Sequence, residues 1–234
     1  AGVTNAPVLV YVHGGGWTTG DKSMVDSKAQ AFNAAGFVFV SVNYRLSPAV
    51  IHPVHVQDVA AAVAWVYNNI ASYGGNPRQI FLLGHSAGAQ LVALVSTDER
   101  RLQACGLDLA VIKGVVPLDG AGYDIPSRIQ SPYRGVEEMY EQAFGTDPLI
   151  WEDASPLYHV AAEKGIPPFL LVYSGVREEA RTQAQALADA LEEAGVPAEL
   201  FHAPDKNHAT VNQDLDTGDY VFEKMIEFFT SLME

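Results

Sequence analysis

The chain has 234 residues, a formal net charge of −14 at pH 7 and an apolar content of 48%. This content is enough for a sizeable core, and the charged fraction of 18% is too low for a disordered chain. The acidic balance argues against nucleic acid or an anionic membrane as a partner, because both attract basic surfaces.

Short stretches rich in β-branched residues alternate with helical patterns along the chain. The predicted strands cover 7–12, 36–44, 79–84, 113–118, 168–174 and 198–203. The predicted helices cover 55–72, 86–97, 181–194 and 216–233. This alternation is typical of a mostly parallel sheet with helices on both faces. We therefore expect a single α/β domain over residues 1–234.

The stretch 119–160 interrupts the alternation. It is rich in proline, glycine and aromatic residues and is too long for an ordinary connection. Long excursions of this kind are usually lids or binding loops, so we expect one here. The alternative is an insertion that only covers the sheet.

Neither a membrane-spanning segment nor a signal peptide is recognisable in the sequence. Its apolar runs fall short of the roughly 18 residues that a membrane-spanning helix needs, and the first residues do not resemble a signal peptide. Cys105 is the single cysteine, so no intrachain disulfide can form. We expect a cytoplasmic location without a membrane span, and the sequence does not determine the oligomeric state.

The segment 10–20, VYVHGGGWTTG, places three consecutive glycines after a predicted strand. Three glycines weaken any helix or strand. They could form a plain loop, or they could let backbone N–H groups approach a ligand closely. His13 is then expected to hold the loop in place, with Trp17 beside the ligand.

A second segment, 80–95, reads strand, Gly84-His85-Ser86-Ala87-Gly88, and then an apolar helix. The G-x-S-x-G match alone is short, but its strand-to-helix context is specific, because a sharp turn there forces the serine outward. We predict that Ser86 is a nucleophile. The alternative is a glycine-rich turn with a capping serine.

A serine hydroxyl needs a base within hydrogen-bond reach. His208 follows the last predicted strand and precedes the last helix, in AELFHAPDKNHATVN. This position lets its ring reach the carboxyl edge of the sheet, where Ser86 is expected. His208 is therefore the predicted base, and a solvent-facing loop histidine is the alternative.

The order H-G-G-G-W, N-Y-R-L, GHSAG and a late histidine resembles the α/β-hydrolase superfamily. Within it, the chain is similar to the esterase/lipase branch with an H-G-G-G motif. That branch includes hormone-sensitive-lipase-like and feruloyl-esterase-like carboxylesterases and kynurenine-formamidase-like amidases. The resemblance covers essentially the whole chain. It implies an α/β-hydrolase fold, here without the two strands that usually open it.

The resemblance also implies an oxyanion hole made by the backbone N–H groups of Gly15, Gly16 and Ala87. It implies no metal and no cofactor. A third group, an acid that orients His208, is expected as well.

Two carboxylates compete for this role. The usual position follows the strand at 168–174, where Glu178 is the candidate, with Glu179 a weaker choice. Asp119 ends the preceding strand, and some lipases of this fold take the acid from there. The sequence leaves the choice open.

Aromatic residues are abundant around the expected pocket and suggest an apolar acyl or aryl group. Trp17, Tyr44 and Tyr123 are the predicted substrate-binding residues, and the wider set adds Tyr133, Tyr140, Phe144, Trp151 and Tyr158. The favoured prediction is a serine carboxylesterase acting on small-molecule esters. The alternatives are an amidase or formamidase with the same Ser-His machinery, and a non-catalytic relative that binds a small ligand.

Overall fold

The computed structural model describes residues 4–130 and 136–233. Its centre is one six-stranded, all-parallel sheet in the order β2-β1-β3-β4-β5-β6. The strands are β1 (Ala6–Val12), β2 (Val38–Val42), β3 (Gly75–His85), β4 (Ile112–Leu118), β5 (Phe169–Ser174) and β6 (Ala198–Ala203). The predicted parallel α/β sheet is confirmed. Because all strands run the same way, the loops that follow them meet at one edge.

Ten α-helices in the described residues connect and cover the strands. They are α1 (Lys28–Ala34), α2 (Val54–Asn69), α3 (Ala87–Thr97), α4 (Glu99–Gln103), α5 (Ile125–Ile129), α6 (Glu137–Phe144), α7 (Pro148–Asp153), α8 (Glu178–Glu193), α9 (Thr210–Gln213) and α10 (Tyr220–Ser231). Short 3₁₀ helices span Ile70–Tyr73, Leu109–Val111 and Pro156–His159. No described helix meets the length and apolarity that crossing a membrane requires.

Two apolar clusters pack against opposite faces of the sheet. In β1, Val8, Val10 and Val12 belong to the cluster with α2, α3 and α8. Leu9 and Tyr11 belong to the other cluster, with α1, α9 and α10. Alternate residues of a strand point to opposite faces, so both faces of the sheet are covered. The functional groups must therefore lie at the edges.

The six predicted strands and four predicted helices differ from the observed ones mainly at their ends, and the short helices α4 and α9 were not predicted. Helix α8 begins at Glu178, three residues before the predicted 181. Helix α10 begins at Tyr220, because the Asp219 side chain accepts hydrogen bonds from the N–H groups of Val221 and Phe222 and so caps the helix. Helix α1 was not predicted, since its seven residues are too few for a clear period.

The excursion 119–160 folds into α5, α6, α7 and the 3₁₀ helix Pro156–His159. Two aspartates start the short helices. Asp124 accepts a hydrogen bond from the N–H of Ser127, and Asp147 accepts one from the N–H of Leu149. The excursion thus consists of short capped helices lying between β4 and β5.

Candidate active site

The turn between β3 and α3 forces Ser86 into a strained backbone conformation. Its φ is 55° and its ψ is −116°, a region that L-residues rarely adopt. The turn is tight because a Cβ on Gly84 would overlap the carbonyl of Gly88, and a Cβ on Gly88 would overlap that of Val12. The Ser86 N–H donates to Leu118 O at 3.0 Å, which fixes the turn against β4. Ser86 therefore stands at the carboxyl edge of the sheet.

His208 bridges Ser86 and Asp119. Its Nε2 lies 3.0 Å from Ser86 Oγ and its Nδ1 lies 2.6 Å from Asp119 Oδ2. Because the carboxylate is an acceptor only, the network assigns the proton to Nδ1. Nε2 is then free to accept the Ser86 hydroxyl proton. The three side chains form one continuous hydrogen-bond path.

His85 supports the His208 loop from behind. Its Nε2–H donates to His208 O at 2.8 Å, and the two rings lie 4.6 Å apart. Burial lowers the pKa of His85 to about 3, so its ring stays neutral at pH 7. A neutral His85 can hold the loop without adding charge next to His208.

Asp119 is fully buried at the end of β4. Its Oδ1 accepts the Ser174 N–H at 2.8 Å, and its own N–H donates to Val172 O at 2.7 Å. Burial raises the pKa of this carboxyl, but the His208 hydrogen bond and the Arg177 charge outweigh it and lower the pKa to about 2. Asp119 is therefore ionised across the physiological range.

Arg177 completes the environment of Asp119 from the β5–α8 turn. Its Nη1 donates to Asp119 Oδ2 and, at 3.1 Å, to Asp119 O. Nη1 also lies 2.5 Å from His208 Nδ1, since both nitrogens approach the same carboxylate oxygen. Arg177 Nε lies 3.3 Å from Glu179 Oε1. Arg177 is not among the site residues predicted from the sequence.

Glu178, the other candidate acid, lies away from this path. It is the first residue of α8, its side chain is 54% exposed, and its carboxylate pairs with Arg181 one helical turn on. Glu179 contacts Arg177 instead of His208. Of the carboxylates considered from sequence, Asp119 is the one that the structure brings to His208.

The glycine segment lies directly against Ser86. A Cβ on Gly14 would come within 3.0 Å of Ser86 Cβ. Gly15 and Gly16 have φ values of 113° and 57°, and Gly15 O accepts the N–H groups of Thr18 and Thr19, which closes a tight turn. Side chains at these positions would be both strained and obstructed. The segment can therefore present backbone N–H groups beside Ser86.

Two further groups frame this turn. His13 donates through Nδ1 to Gly14 O at 2.7 Å, and burial lowers its pKa, so it acts as a neutral brace. Ala87, the third residue of the expected oxyanion hole, is the first residue of α3. The N–H of a first helical residue has no acceptor one turn earlier in its own helix. The N–H group of Ala87 is thus available next to Ser86.

A cavity of about 590 Å³ opens beside Ser86 and His208. Trp17 lines it, with Nε1 donating to Gln90 Oε1 at 3.0 Å, and Met139 of α6 lies over Gly16. The Gln90 amide in turn donates to Ala154 O at 2.7 Å. Residues from the excursion 119–160 therefore form part of the wall opposite the sheet edge.

The prediction for Tyr44 and Tyr123 needs correction. Both are nearly fully buried, at 4% and 1% exposure, and neither is among the described residues that line the cavity. Tyr44 stacks on His13 at 4.6 Å between ring centroids, and Tyr123 lies behind Gly120. They pack beneath the site. Of the wider aromatic set, Tyr140 lines the cavity, whereas Tyr133 lies outside the described residues.

Several site residues were missed because their sequence signals are weak. Arg177 and Gln90 are polar residues beside recognisable motifs, but nothing in their spacing marks them. Gln183 of α8 holds the start of the excursion in place, since its Oε1 accepts hydrogen bonds from the N–H groups of Tyr123 and Asp124 at 2.8 and 2.7 Å. The sequence signal for this contact is a glutamine on an otherwise apolar helix face.

Comparison with known proteins agrees with this architecture. A family model described as alpha/beta hydrolase fold matches residues 9–212. Esterase LipQ of Mycobacterium tuberculosis is 33% identical over 218 residues, covering 87% of this chain and 50% of LipQ. Carboxylesterase NlhH of the same species is 31% identical over 219 residues, covering 89% of this chain and 67% of NlhH. The chain thus spans between half and two thirds of the length of these two relatives.

A solved structure described as a truncated form of a carbohydrate esterase from gut microbiota superposes with a TM-score of 0.81. It is 23% identical, and the match covers 98% of this chain and 86% of that one. At this identity the likeness concerns the fold.

Proposed function

Because the chain belongs to the α/β-hydrolase fold family, we propose that it hydrolyses small carboxylic esters through an acyl-enzyme formed on Ser86. The observation that carries the proposal is the unbroken path from Ser86 Oγ through His208 to Asp119 Oδ2. The esterase names of LipQ and NlhH support the same reaction class.

In the first half-reaction, Ser86 Oγ attacks the ester carbonyl carbon and its proton passes to His208 Nε2. Asp119 stabilises the resulting imidazolium through Nδ1–H and keeps the ring in the required tautomer. The negative oxygen is met by the N–H groups of Gly15, Gly16 and Ala87. Losing one such donor typically raises a barrier by about 3–4 kcal/mol. The carbon–oxygen bond to the alcohol then breaks, and His208 returns its proton to the alcohol.

The second half-reaction repeats these steps with water. His208 Nε2 removes a proton from water, which attacks the acyl carbon, and the proton is returned to Ser86 as the acid product leaves. Asp119 stabilises the His208 imidazolium in both half-reactions. Arg177 acts as a positioning residue. Its charge keeps the Asp119 carboxylate ionised, and its hydrogen bond fixes the carboxylate oxygen that accepts the Nδ1–H of His208.

Hydrolysis of p-nitrophenyl butyrate by the wild-type chain and by Ser86→Ala tests the proposal. We expect Ser86→Ala to lower kcat at least about 1,000-fold, because removal of the nucleophile leaves only the residual effect of the oxyanion hole and binding. Ser96→Ala is the matched control, since Ser96 is a buried serine of α3, the helix that follows Ser86, and does not line the cavity.

Other outcomes of the assay separate the alternatives. Turnover that survives in Ser86→Ala would rule out the acyl-enzyme. Faster hydrolysis of N-formylkynurenine than of the ester would indicate that the chain is an amidase. Failure on both substrates would favour a ligand-binding relative. The cytoplasmic location and the single-domain organisation with its lid-like excursion stay predictions.

A further inference from the structure

Four charged side chains line the cavity beside Ser86: Asp26, Asp119, Arg128 and Arg177. Three of them are neutralised by a neighbour. Asp119 pairs with Arg177, and Asp26 Oδ2 accepts from the buried Lys28 Nζ at 3.1 Å. Within residues 4–130 and 136–233, Arg128 forms no ion pair with any carboxylate. Arg128 is the one cavity charge that these described neighbours do not balance.

Burial makes this imbalance costly. Arg128 is only 6% exposed, and its Nε and Nη1 have no hydrogen-bond acceptor among the described residues. The five residues 131–135, SPYRG, contain no aspartate or glutamate that could neutralise it. A guanidinium stays charged under all ordinary conditions, and a buried unpaired charge is strongly unfavourable. An anion bound in the cavity would remove this penalty.

The position of Arg128 fits contact with a bound substrate. It lies at the end of α5, beside the phenol of Tyr140, whose OH donates to Ala121 O at 2.9 Å. Burial raises the pKa of Tyr140 to about 12, and the adjacent Arg128 charge acts against this rise. Tyr140 and Ala121 also line the cavity. Arg128 thus lines the same cavity as Ser86, next to Tyr140 and Ala121.

We propose that Arg128 is a specificity residue that binds a carboxylate of the substrate, so that the preferred esters carry a carboxylate in their acyl or alcohol part. The inference rests on the proposed function, since it names the substrate class of the same site. The planar guanidinium fork matches a carboxylate in two parallel hydrogen bonds. One guanidinium balances one carboxylate, whereas a doubly charged phosphate monoester would leave a net negative charge in the cavity.

Kinetics on matched ester pairs test the proposal. For the acyl side, the mono-p-nitrophenyl ester of glutaric acid is compared with p-nitrophenyl butyrate. For the alcohol side, 3-acetoxybenzoate is compared with 3-acetoxybenzamide. We expect the charged member of one pair to have the higher kcat/KM by at least about 10-fold, which is a typical gain from one charge-assisted contact. The pair that shows the preference identifies which part of the ester carries the carboxylate.

Variants then tie the preference to Arg128. Arg128→Met should reduce the charged-to-neutral ratio of kcat/KM at least about 10-fold, and Arg128→Lys should retain part of it. Arg181→Met is the matched control, because it removes the same charge from the exposed face of α8. Its ratio should equal that of the wild type. Equal rates within both pairs, or a preference that survives Arg128→Met, would overturn the proposal.

Binding to the wild-type chain separates failure of this inference from failure of esterase activity. Calorimetry compares butyrate with butyramide and 3-hydroxybenzoate with 3-hydroxybenzamide. If no ester is hydrolysed, carboxylate binding that Arg128→Met weakens at least about 10-fold supports the anion site, and undetectable binding overturns it. Circular dichroism of each variant verifies folding. Should Arg128→Met not fold, the same ratios measured with Arg128→Lys and Arg128→Gln decide the outcome.

Discussion

The turn after β3 and the turns after β4 and β5 lie at the same edge of the sheet, but they position their groups differently. The β3 turn holds Ser86 by backbone constraints, because Gly84 and Gly88 leave no room for side chains. Asp119, directly after β4, is held mainly by the side chains of His208 and Arg177. The Ser86 turn depends on glycines at two positions within 84–88, whereas the Asp119 contacts depend on side chains up to 89 positions away.

This difference predicts that the two positions tolerate change differently. A backbone constraint leaves one solution, a glycine two positions before and two positions after the serine. A carboxylate that only has to reach His208 Nδ1 can come from either of two neighbouring strands, β4 or β5, since they are adjacent and parallel. In this chain the β4 strand supplies the carboxylate, and the β5 turn supplies the arginine that binds it.

The largest expected effect comes from replacing each of the two candidate acids with its amide. Asp119→Asn should lower kcat by about 10³–10⁴-fold, because the amide favours the His208 tautomer that cannot accept the serine proton. Glu178→Gln removes the same charge from an exposed site and should change kcat less than about 2-fold. Steady-state kinetics on p-nitrophenyl butyrate measure both. A larger loss in Glu178→Gln than in Asp119→Asn would contradict the geometry.

The backbone constraint at the β3 turn predicts a loss of stability. A Cβ on Gly88 would overlap Val12 O, and a backbone atom of a central strand cannot move aside. Gly88→Ala should therefore lower the free energy of unfolding by about 3 kcal/mol or more. Gly114→Ala is the control, since its Cβ would meet side-chain atoms only, Leu232 Cδ1 at 2.8 Å and the rings of Phe228 and Phe81 at 3.2 and 3.3 Å, and its loss should be smaller. Urea unfolding followed by circular dichroism measures both.

Equal losses in the two variants would show that the tight strand–helix approach does not limit stability. A small loss in Gly88→Ala together with normal kcat would place the constraint elsewhere in the turn.

Features that depend on local sequence could be predicted, whereas those that depend on long-range contacts could not. The parallel sheet and the short-range elbow at 84–88 follow from local patterns, since strand period and the small residues around Ser86 are visible in sequence. The acid depends on which strands become neighbours, so the sequence leaves Glu178 and Asp119 as competing candidates. The β4–β5 pairing, invisible in sequence, brings Asp119 to His208.

The pocket wall was harder to predict for a related reason. An aromatic residue at a strand end can line a cavity or pack beneath it, and composition does not separate the two. Tyr44 turns inward because its ring stacks on His13 and its OH donates to His13 O at 3.3 Å. Trp17 faces the cavity because Gln90 fixes its indole N–H. Both outcomes depend on partners far away in sequence.

The smallest expected effect concerns the pH dependence that Arg177 confers. The pKa of Asp119 is about 2 in the folded chain, against about 3.9 in an unfolded one. A depressed folded pKa stabilises the fold above the unfolded pKa, and this contribution disappears as the pH falls through the folded pKa. The whole difference corresponds to about 2.6 kcal/mol at pH 7, and Arg177 supplies part of it.

Arg177→Met should therefore lower stability by about 1 kcal/mol at pH 7. This loss should stay constant down to about pH 3 and shrink below it, because it disappears between the folded Asp119 pKa of the variant and that of the wild type. Urea unfolding at pH 7, 4, 3 and 2 measures the trend. Arg181→Met is the control, because its partner Glu178 is exposed and little pH-dependent change is expected. A loss in Arg177→Met that stays constant with pH would mean that Arg177 stabilises the turn by packing alone. The low pKa of Asp119 would then be due to the hydrogen bonds from His208 and the Ser174 N–H, without a contribution from Arg177.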